Sequence, residues 1–342
     1  MLRQSILFLS DSAAAKKIVT RAPIARQMAA RFVAGETLDE AIAAARNCND
    51  LGLTASLDFL GESVNNRDEA LAATEMAIRT IEAIVETGVD GNISIKPTQL
   101  GLDIDEDFCR ENVERLLERA REVGDGAGEI FVRLDMESSE YVERTVALIE
   151  ALWANGYRNV GTVLQSYMRR TPDDIRRLSA LGSRVRLVKG AYKEPSSVAY
   201  PEKSDVDARV VEERRDLLES GVYPAIATHD EAMIDATRRW AFERGIPKER
   251  FEFQMLYGVR RDLQQRLREE GYNVRVYIPF GDSWYPYLMR RMAERPANLL
   301  FITNSVLKES PVSRLARPRA IVGGAVAGAL AALAWRGRRN GR

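Results

Sequence analysis

At 342 residues, 45% of them apolar and 29% charged, the chain is long enough for two domains or one extended α/β barrel, with a substantial core. Fifty basic residues balance fifty acidic ones, so no global field points to nucleic acid. Cys48 and Cys109 lie outside any CxxC, which fits reduced thiols in the cytoplasm, and the apolar run 6–9 is too short for a signal peptide.

Residues 1–47 contain no strong strand. The stretches Ile24 to Ala29 and Leu38 to Ile42 read as short helices, the second with a capping box from Thr37 and Glu40. Eight short apolar or β-branched runs follow: Leu53 to Leu60, Gly91 to Lys96, Ile130 to Met136, Val160 to Gln165, Val185 to Lys189, Pro224 to Thr228, Phe251 to Leu256 and Val274 to Ile278. They read as near-continuous apolar strands, suited to a sheet covered on both faces. Helical stripes lie between them, for example Val142, Val146, Ile149 and Trp153, then Val211, Leu217 and Leu218, then Val259, Leu263 and Leu267. Gly124 to Gly128 reads as a turn. This alternation predicts a (β/α)8 TIM-type barrel over 48–312, with an N-terminal helical extension (1–47) and a tail (313–342). A doubly wound sheet is the competitor, but GxGxxG does not follow the first strand.

A barrel directs attention to the carboxyl ends of its strands. Those ends carry Lys96, Arg133 and Asp135, Gln165, then Arg186, Lys189 and Tyr192, then His229 and Asp230, Gln254, and Tyr277. Charged groups set in apolar runs are costly unless paired, so this concentration exceeds what solvation requires. His229 is the sole histidine, which excludes a histidine-rich metal site, and no GxSxG elbow accompanies it. It reads as a hydrogen-bonding group. After the last strand, a helix presents Tyr287, Arg290, Arg291 and Glu294 within two turns. Adjacent arginines beside aromatics can form a fork for a small carboxylate. Together these groups suit a bound organic cofactor performing redox chemistry on a small carboxylate.

Seven blocks carry a family resemblance over about residues 30–305: SIKPTQLG (94–101), VRLDME (132–137), VLQSY (163–167), RLVKGAYKEP (186–195), ATHD (227–230), FEFQMLYG (251–258) and RVYIPFG with WYPYLMRRMAERP (275–296). In this order, the chain resembles the FAD-dependent proline dehydrogenases, which oxidise L-proline to Δ1-pyrroline-5-carboxylate. The resemblance implies that Arg290, Arg291 and Lys96 bind the proline carboxylate. It implies that Tyr277 and Tyr287 wall the pocket, and that Tyr192 and Leu256 pack around the ring. Asp135 would hold Tyr277 and the arginine cluster, and Glu294 would pair with a neighbouring cation. Gln165, Arg186, Val188, Lys189, Gly190, Thr228, His229 and Gln254 would contact FAD, with Arg186 tuning the flavin. A quinone or similar acceptor is implied for the electrons, and the length leaves no room for the aldehyde dehydrogenase domain of the bifunctional relatives. Phe280 departs from the tyrosine of many relatives, so the pocket rim is open to a hydroxyproline or N-methylated substrate. A barrel lyase using Lys96 or Lys189 as Schiff-base nucleophile is the alternative from another class.

The tail holds sixteen residues, 320–335, without a charged or strongly polar side chain, followed by Arg336, Arg338, Arg339 and Arg342. Such a helix must bury itself. Two settings remain open. One is contact with the cytoplasmic membrane, with Trp335 and the arginines at the interface and Gly324 to Gly328 as a packing motif. The other is docking on the barrel or in a homo-oligomer interface.

Overall fold

A computed structural model describes residues 29–61, 64–124 and 129–294. The expected helix at 24–29, the glycine-rich turn at 124–128 and the whole tail, including 320–335, lie wholly or mostly outside the described residues. Two compact units divide the chain: Ala30–Trp284, and Met1–Ala29 with Tyr285–Arg342.

The larger unit is a closed barrel of eight parallel strands in sequence order. The strands are β1 (Thr54–Phe59), β2 (Gly91–Ile95), β3 (Val132–Leu134), β4 (Val160–Gln165), β5 (Val185–Val188), β6 (Ala225–Ala227), β7 (Glu252–Leu256) and β8 (Asn273–Phe280). Each of the first seven expected runs contains one of them, and β8 starts one residue before its expected run and ends two residues past it. Eight helices of this unit are α1 (Leu38–Asp50), α2 (Arg67–Thr87), α3 (Glu106–Val123), α4 (Ser139–Ala154), α5 (Thr171–Leu181), α6 (Lys203–Ser220), α7 (Glu231–Glu243) and α8 (Arg261–Glu269). The capping box of α1 forms as expected, Thr37 accepting from the Glu40 amide and Glu40 returning to the Thr37 amide. The side chains of Asn66 and Asp105 cap α2 and α3 by accepting from the amides of Glu69 and Phe108, so these helix starts are fixed by side chains next to the orphan amides.

One sequence expectation is corrected by the barrel. The strands around β8, β1, β2 and β3 alternate rather than run apolar throughout. Leu57, Ile93, Ile95, Val132, Leu134, Val274 and Val276 are buried core residues, whereas Ser56, Asp58, Ser94, Arg133, Arg275 and Tyr277 occupy the other parity. Register sets Ser56 beside Tyr277 and Ser94 beside Arg133. Arg186 of β5 bonds Ser94 of β2, and Tyr277 of β8 bonds Asp135 after β3. Side chains from strands that are not neighbours meet only across the barrel interior. Branched apolar side chains usually fill that space in layers; here ion pairs and hydrogen bonds among Ser94, Asp135, Arg186 and Tyr277 cross it. Near the amino ends of the strands, Arg275 binds Glu252 at 3.1 Å and the Ala55 carbonyl at 2.8 Å. Arg133, fully buried, donates to the carbonyls of Thr162 and Arg184. Burial works against the Glu252 carboxylate, but Arg275, the Gln254 side chain and Arg133 together outweigh it and hold its pKa below the ordinary value.

Cys48 and Cys109 are free and buried, and burial pushes their thiols up to about 11 and about 12. Both are core residues. Among the described residues, no helix is long and apolar enough to cross a membrane, and no cluster of histidine, cysteine or carboxylate could hold a metal ion.

Candidate active site

The carboxyl ends of the strands sort the candidate residues into two arcs. Lys96 directly follows β2, Asp135 follows β3, and Tyr277 lies on β8. The second arc spans four consecutive strands: Gln165 on β4, Arg186 and Val188 on β5 with Lys189 and Gly190 after it, Thr228 and His229 after β6, and Gln254 and Leu256 on β7.

Asp135 joins the arcs. Its Oδ1 accepts from Arg186 Nη1 at 2.9 Å and its Oδ2 from the Tyr277 hydroxyl at 2.8 Å. Arg186 also donates to Ser94 Oγ at 2.9 Å and lies 5.3 Å from the centre of the Tyr277 ring. With side-chain exposures of 6% and 12%, Arg186 and Asp135 form an ion pair largely shielded from water. Burial, then Asp135 and Asp58, raise the Tyr277 pKa well above its ordinary value, so the phenol keeps its proton and donates. Asp135 thus binds Tyr277 and Arg186 at once.

Lys96 Nζ stands 3.3 and 3.4 Å from the two oxygens of Asp58, a β1 residue that is 1% exposed. Asp58 is the site residue that sequence reasoning missed. LTASLDFL reads as one apolar run, and the signal was parity: Asp58 falls two residues after Ser56, on the face that Tyr277 shares.

On the second arc, Lys189 Nζ binds Asp207 at 2.8 Å and Asp230 at 3.4 Å. His229 Nε2 accepts from the Leu256 amide at 2.9 Å. Gln165 donates to the Glu137 carbonyl at 2.8 Å, and Gln254 donates to Glu252. Thr228 Oγ1 accepts from the Asp230 amide. Gly190 has φ +111°, and a Cβ there would lie 2.3 Å from the Tyr167 ring. A side chain is thus excluded where the backbone crosses the rim. Tyr192, half-buried, follows two residues later.

Most of α9 (Trp284–Glu294), the expected post-strand helix, belongs to the smaller unit. One turn apart on it, the Arg291 guanidinium lies 5.3 Å from the centre of the Tyr287 ring. Arg290 is the adjacent residue, and the Glu294 side chain lies outside what the structure describes.

The proline dehydrogenase family model matches residues 41–304. The chain belongs to the proline dehydrogenase family. Among its relatives, proline dehydrogenase 2 of Bacillus subtilis (strain 168) is 43% identical over 307 residues, covering 90% of this chain and 99% of that one. The proline dehydrogenase of Deinococcus radiodurans is 42% identical over 285 residues, covering 82% and 90%. A solved structure of proline utilization A from Bdellovibrio bacteriovorus, inactivated by N-propargylglycine, superposes with a TM-score of 0.73 at 25% identity, over 85% of this chain and 35% of that one. Family membership implies a flavin, and the second arc offers suitable donors. A guanidinium, two carboxamides, an imidazole, a hydroxyl and an ammonium line four successive strand ends, beside a backbone segment cleared by Gly190. That set suits the ring heteroatoms and phosphates of a long flavin cofactor.

Proposed function

We propose that this proline dehydrogenase oxidises L-proline to Δ1-pyrroline-5-carboxylate with FAD as cofactor and hands the electrons to a quinone or similar acceptor. Oxidation of proline, the first step of proline catabolism, is the activity of its family. The observation that carries the reading is the Asp135 junction, where the arc assigned to the cofactor meets the arc assigned to the substrate.

Proline is small, so its carboxylate and ring faces must supply most of the binding energy. In this reading Arg290, Arg291 and Lys96 bind the carboxylate through charge-assisted bonds. Tyr277 and Tyr287 wall the pocket, Tyr192 and Leu256 pack around the ring, and Glu294 pairs with a neighbouring cation. Gln165, Arg186, Val188, Lys189, Gly190, Thr228, His229 and Gln254 hold FAD. When bound, the flavin supplies the acceptor for the hydride that leaves the ring carbon next to nitrogen. Arg186 supplies positive charge at the junction, and Asp135 tempers it while fixing its direction. Tyr277, held by Asp135, keeps its ring at a constant position and spends little ordering entropy when substrate arrives.

The Schiff-base alternative has less support. Its nucleophile must be an amine free to attack a carbonyl, whereas Lys96 Nζ is held by Asp58 and Lys189 Nζ by both Asp207 and Asp230.

The test is turnover of L-proline, hydroxyproline, N-methylproline and D-proline with a soluble dye acceptor, with the imine product trapped by an amine reagent. L-proline is expected to have the highest kcat/KM; a hydroxylated or N-methylated substrate in its place would overturn the assignment. In the same reading the apolar run 320–335 brings the enzyme to a bilayer where the quinone resides. Full-length protein then sediments partly with membranes, a version ending at Pro318 does not, and full-length protein wholly in the supernatant at low and high salt would end that part of the proposal.

A further inference from the structure

Helix α4 begins without a cap of its own. Ser138 occupies the cap position in extended backbone, but its side chain makes no capping bond. The amide and hydroxyl of the helix's first residue, Ser139, are taken instead by Glu194, 55 residues further along the chain. Glu194 Oε1 accepts from the Ser139 amide at 2.7 Å, and Oε2 accepts from Ser139 Oγ at 2.5 Å. A carboxylate at a helix N-terminus is favoured both by the orphan amides and by the helix dipole.

Glu194 lies in the segment that leaves β5, two residues after Tyr192. Both ends of this segment are tied to the segment after β4. At one end the Ser166 and Tyr167 amides donate to the carbonyls of Val188 and Lys189, at 2.8 and 2.9 Å. At the other the Arg169 amide donates to Val198 at 2.9 Å, and the Tyr200 amide donates to Tyr167 at 2.7 Å. Between those ties, Gly190 rests on the Tyr167 ring, and the stretch bearing Tyr192 is braced by Glu194. The turn it grips is itself a junction of rim loops. Thr98, two residues past Lys96, binds the Glu137 carboxylate through its amide and hydroxyl, and Gln165 binds the Glu137 carbonyl.

We propose that Glu194 is a positioning residue for proline oxidation: by capping α4 from a distance it fixes the Tyr192 loop against the junction turn, and so sets the wall of the proline pocket. It touches neither substrate nor cofactor and acts through Tyr192. This rests on the reading above that Tyr192 packs around the proline ring. Glutamine at the position keeps an acceptor oxygen for the Ser139 amide, and Ser139 Oγ can turn to accept from the new amide nitrogen. Alanine keeps neither bond.

The experiment uses flavin-loaded full-length protein and compares Glu194→Ala, Glu194→Gln, Tyr192→Ala and the Glu194→Ala/Tyr192→Ala double variant. Steady-state kinetics with proline are read beside amide hydrogen exchange over residues 190–197. Glu194→Ala should raise KM about tenfold, the size of a lost charge-assisted bond. Its kcat should stay within about twofold, because the reacting groups are untouched. Exchange over 190–197 should rise, and Glu194→Gln should restore both readouts most of the way. The double variant should be no worse than Tyr192→Ala. Unchanged exchange in Glu194→Ala would overturn the brace itself. Faster exchange with a wild-type KM would overturn its role in the pocket. If Tyr192→Ala also keeps a wild-type KM, the fault lies in the placement of Tyr192, and the positioning role falls with it. Should Glu194→Ala fail to fold, Ser139→Ala, which removes only the hydroxyl bond, must show the same two effects at smaller size; wild-type behaviour in both readouts would overturn the proposal.

Discussion

The Asp135 junction makes a quantitative prediction through the pair Asp135→Asn and Tyr277→Phe. Tyr277→Phe removes a hydroxyl that donates to a carboxylate at 2.8 Å. Such a bond contributes about 1.5–3 kcal/mol. Asp135→Asn keeps the shape and one acceptor oxygen but leaves Arg186, at 6% side-chain exposure, without its counter-charge. Stripping one partner from a buried ion pair costs about 3–5 kcal/mol, and the bond to Ser94 keeps the expected loss near the lower end. In the asparagine background the tyrosine bond is neutral and its removal costs only about 1 kcal/mol. The double variant should therefore lose less than the sum of the singles, with a coupling of about 0.5–2 kcal/mol, against the ~0.3–0.5 kcal/mol scatter of independent sites. Urea denaturation of the four proteins measures it in stability. The ratio of kcat/KM values measures it in transition-state binding, where about 1.4 kcal/mol is tenfold. Additive losses in both assays would refute the claim that Tyr277 and Arg186 are held as one unit through Asp135.

Other consequences can be checked alongside. Glu213 on α6 is 1% exposed, and burial pushes its carboxyl from an ordinary 4.5 up to about 8. A raised folded-state pKa means the stability it contributes is complete below about 4.5 and is lost as pH rises through about 8, with about 2 kcal/mol of that loss between pH 6 and pH 8. Glu213→Gln should flatten that part of the stability–pH curve, and an unchanged slope in urea titrations would count against it. Gly190→Ala should lower flavin content and raise exchange around Tyr167, since φ +111° and the Tyr167 ring both oppose a Cβ; full flavin occupancy would contradict the tight crossing. Arg290→Met or Arg291→Met should keep flavin yet raise the KM for proline by about tenfold or more, from loss of a charge-assisted bond of about 1.5–3 kcal/mol. Wild-type efficiency in either variant would remove that arginine from the carboxylate clamp.

Much of the fold was legible because barrel strands are short apolar runs at regular spacing, and the ends of the runs mark the rim. Val160–Gln165 and Val185–Val188 coincide with, or fall one residue short of, the expected runs for that reason. The polar interior was harder to see. Ser56 and Asp58 alternate with Leu57 and Phe59, yet five apolar residues in the eight of LTASLDFL mask the alternation. The partners of a buried charge come from strands far apart in sequence: Asp58 is 38 residues from Lys96, Asp135 is 51 from Arg186, and Tyr277 is 142 from Asp135. No local pattern encodes such pairs. They follow only once closure of the barrel puts those strand ends opposite one another. The same applies to Glu194, which in KGAYKEP reads as a solvated loop carboxylate until α4 arrives beside it.

The central claim is that L-proline delivers its hydride to a flavin held on this rim. The most direct measurement is the absorbance of the purified protein near 450 nm (about the flavin maximum) under anaerobic conditions, before and after one equivalent of L-proline. A bound flavin spectrum that bleaches with L-proline, remains unbleached with D-proline and returns on addition of a quinone is the predicted result. Protein that binds no flavin when supplied with FAD, or whose flavin stays oxidised in excess L-proline, would contradict the account.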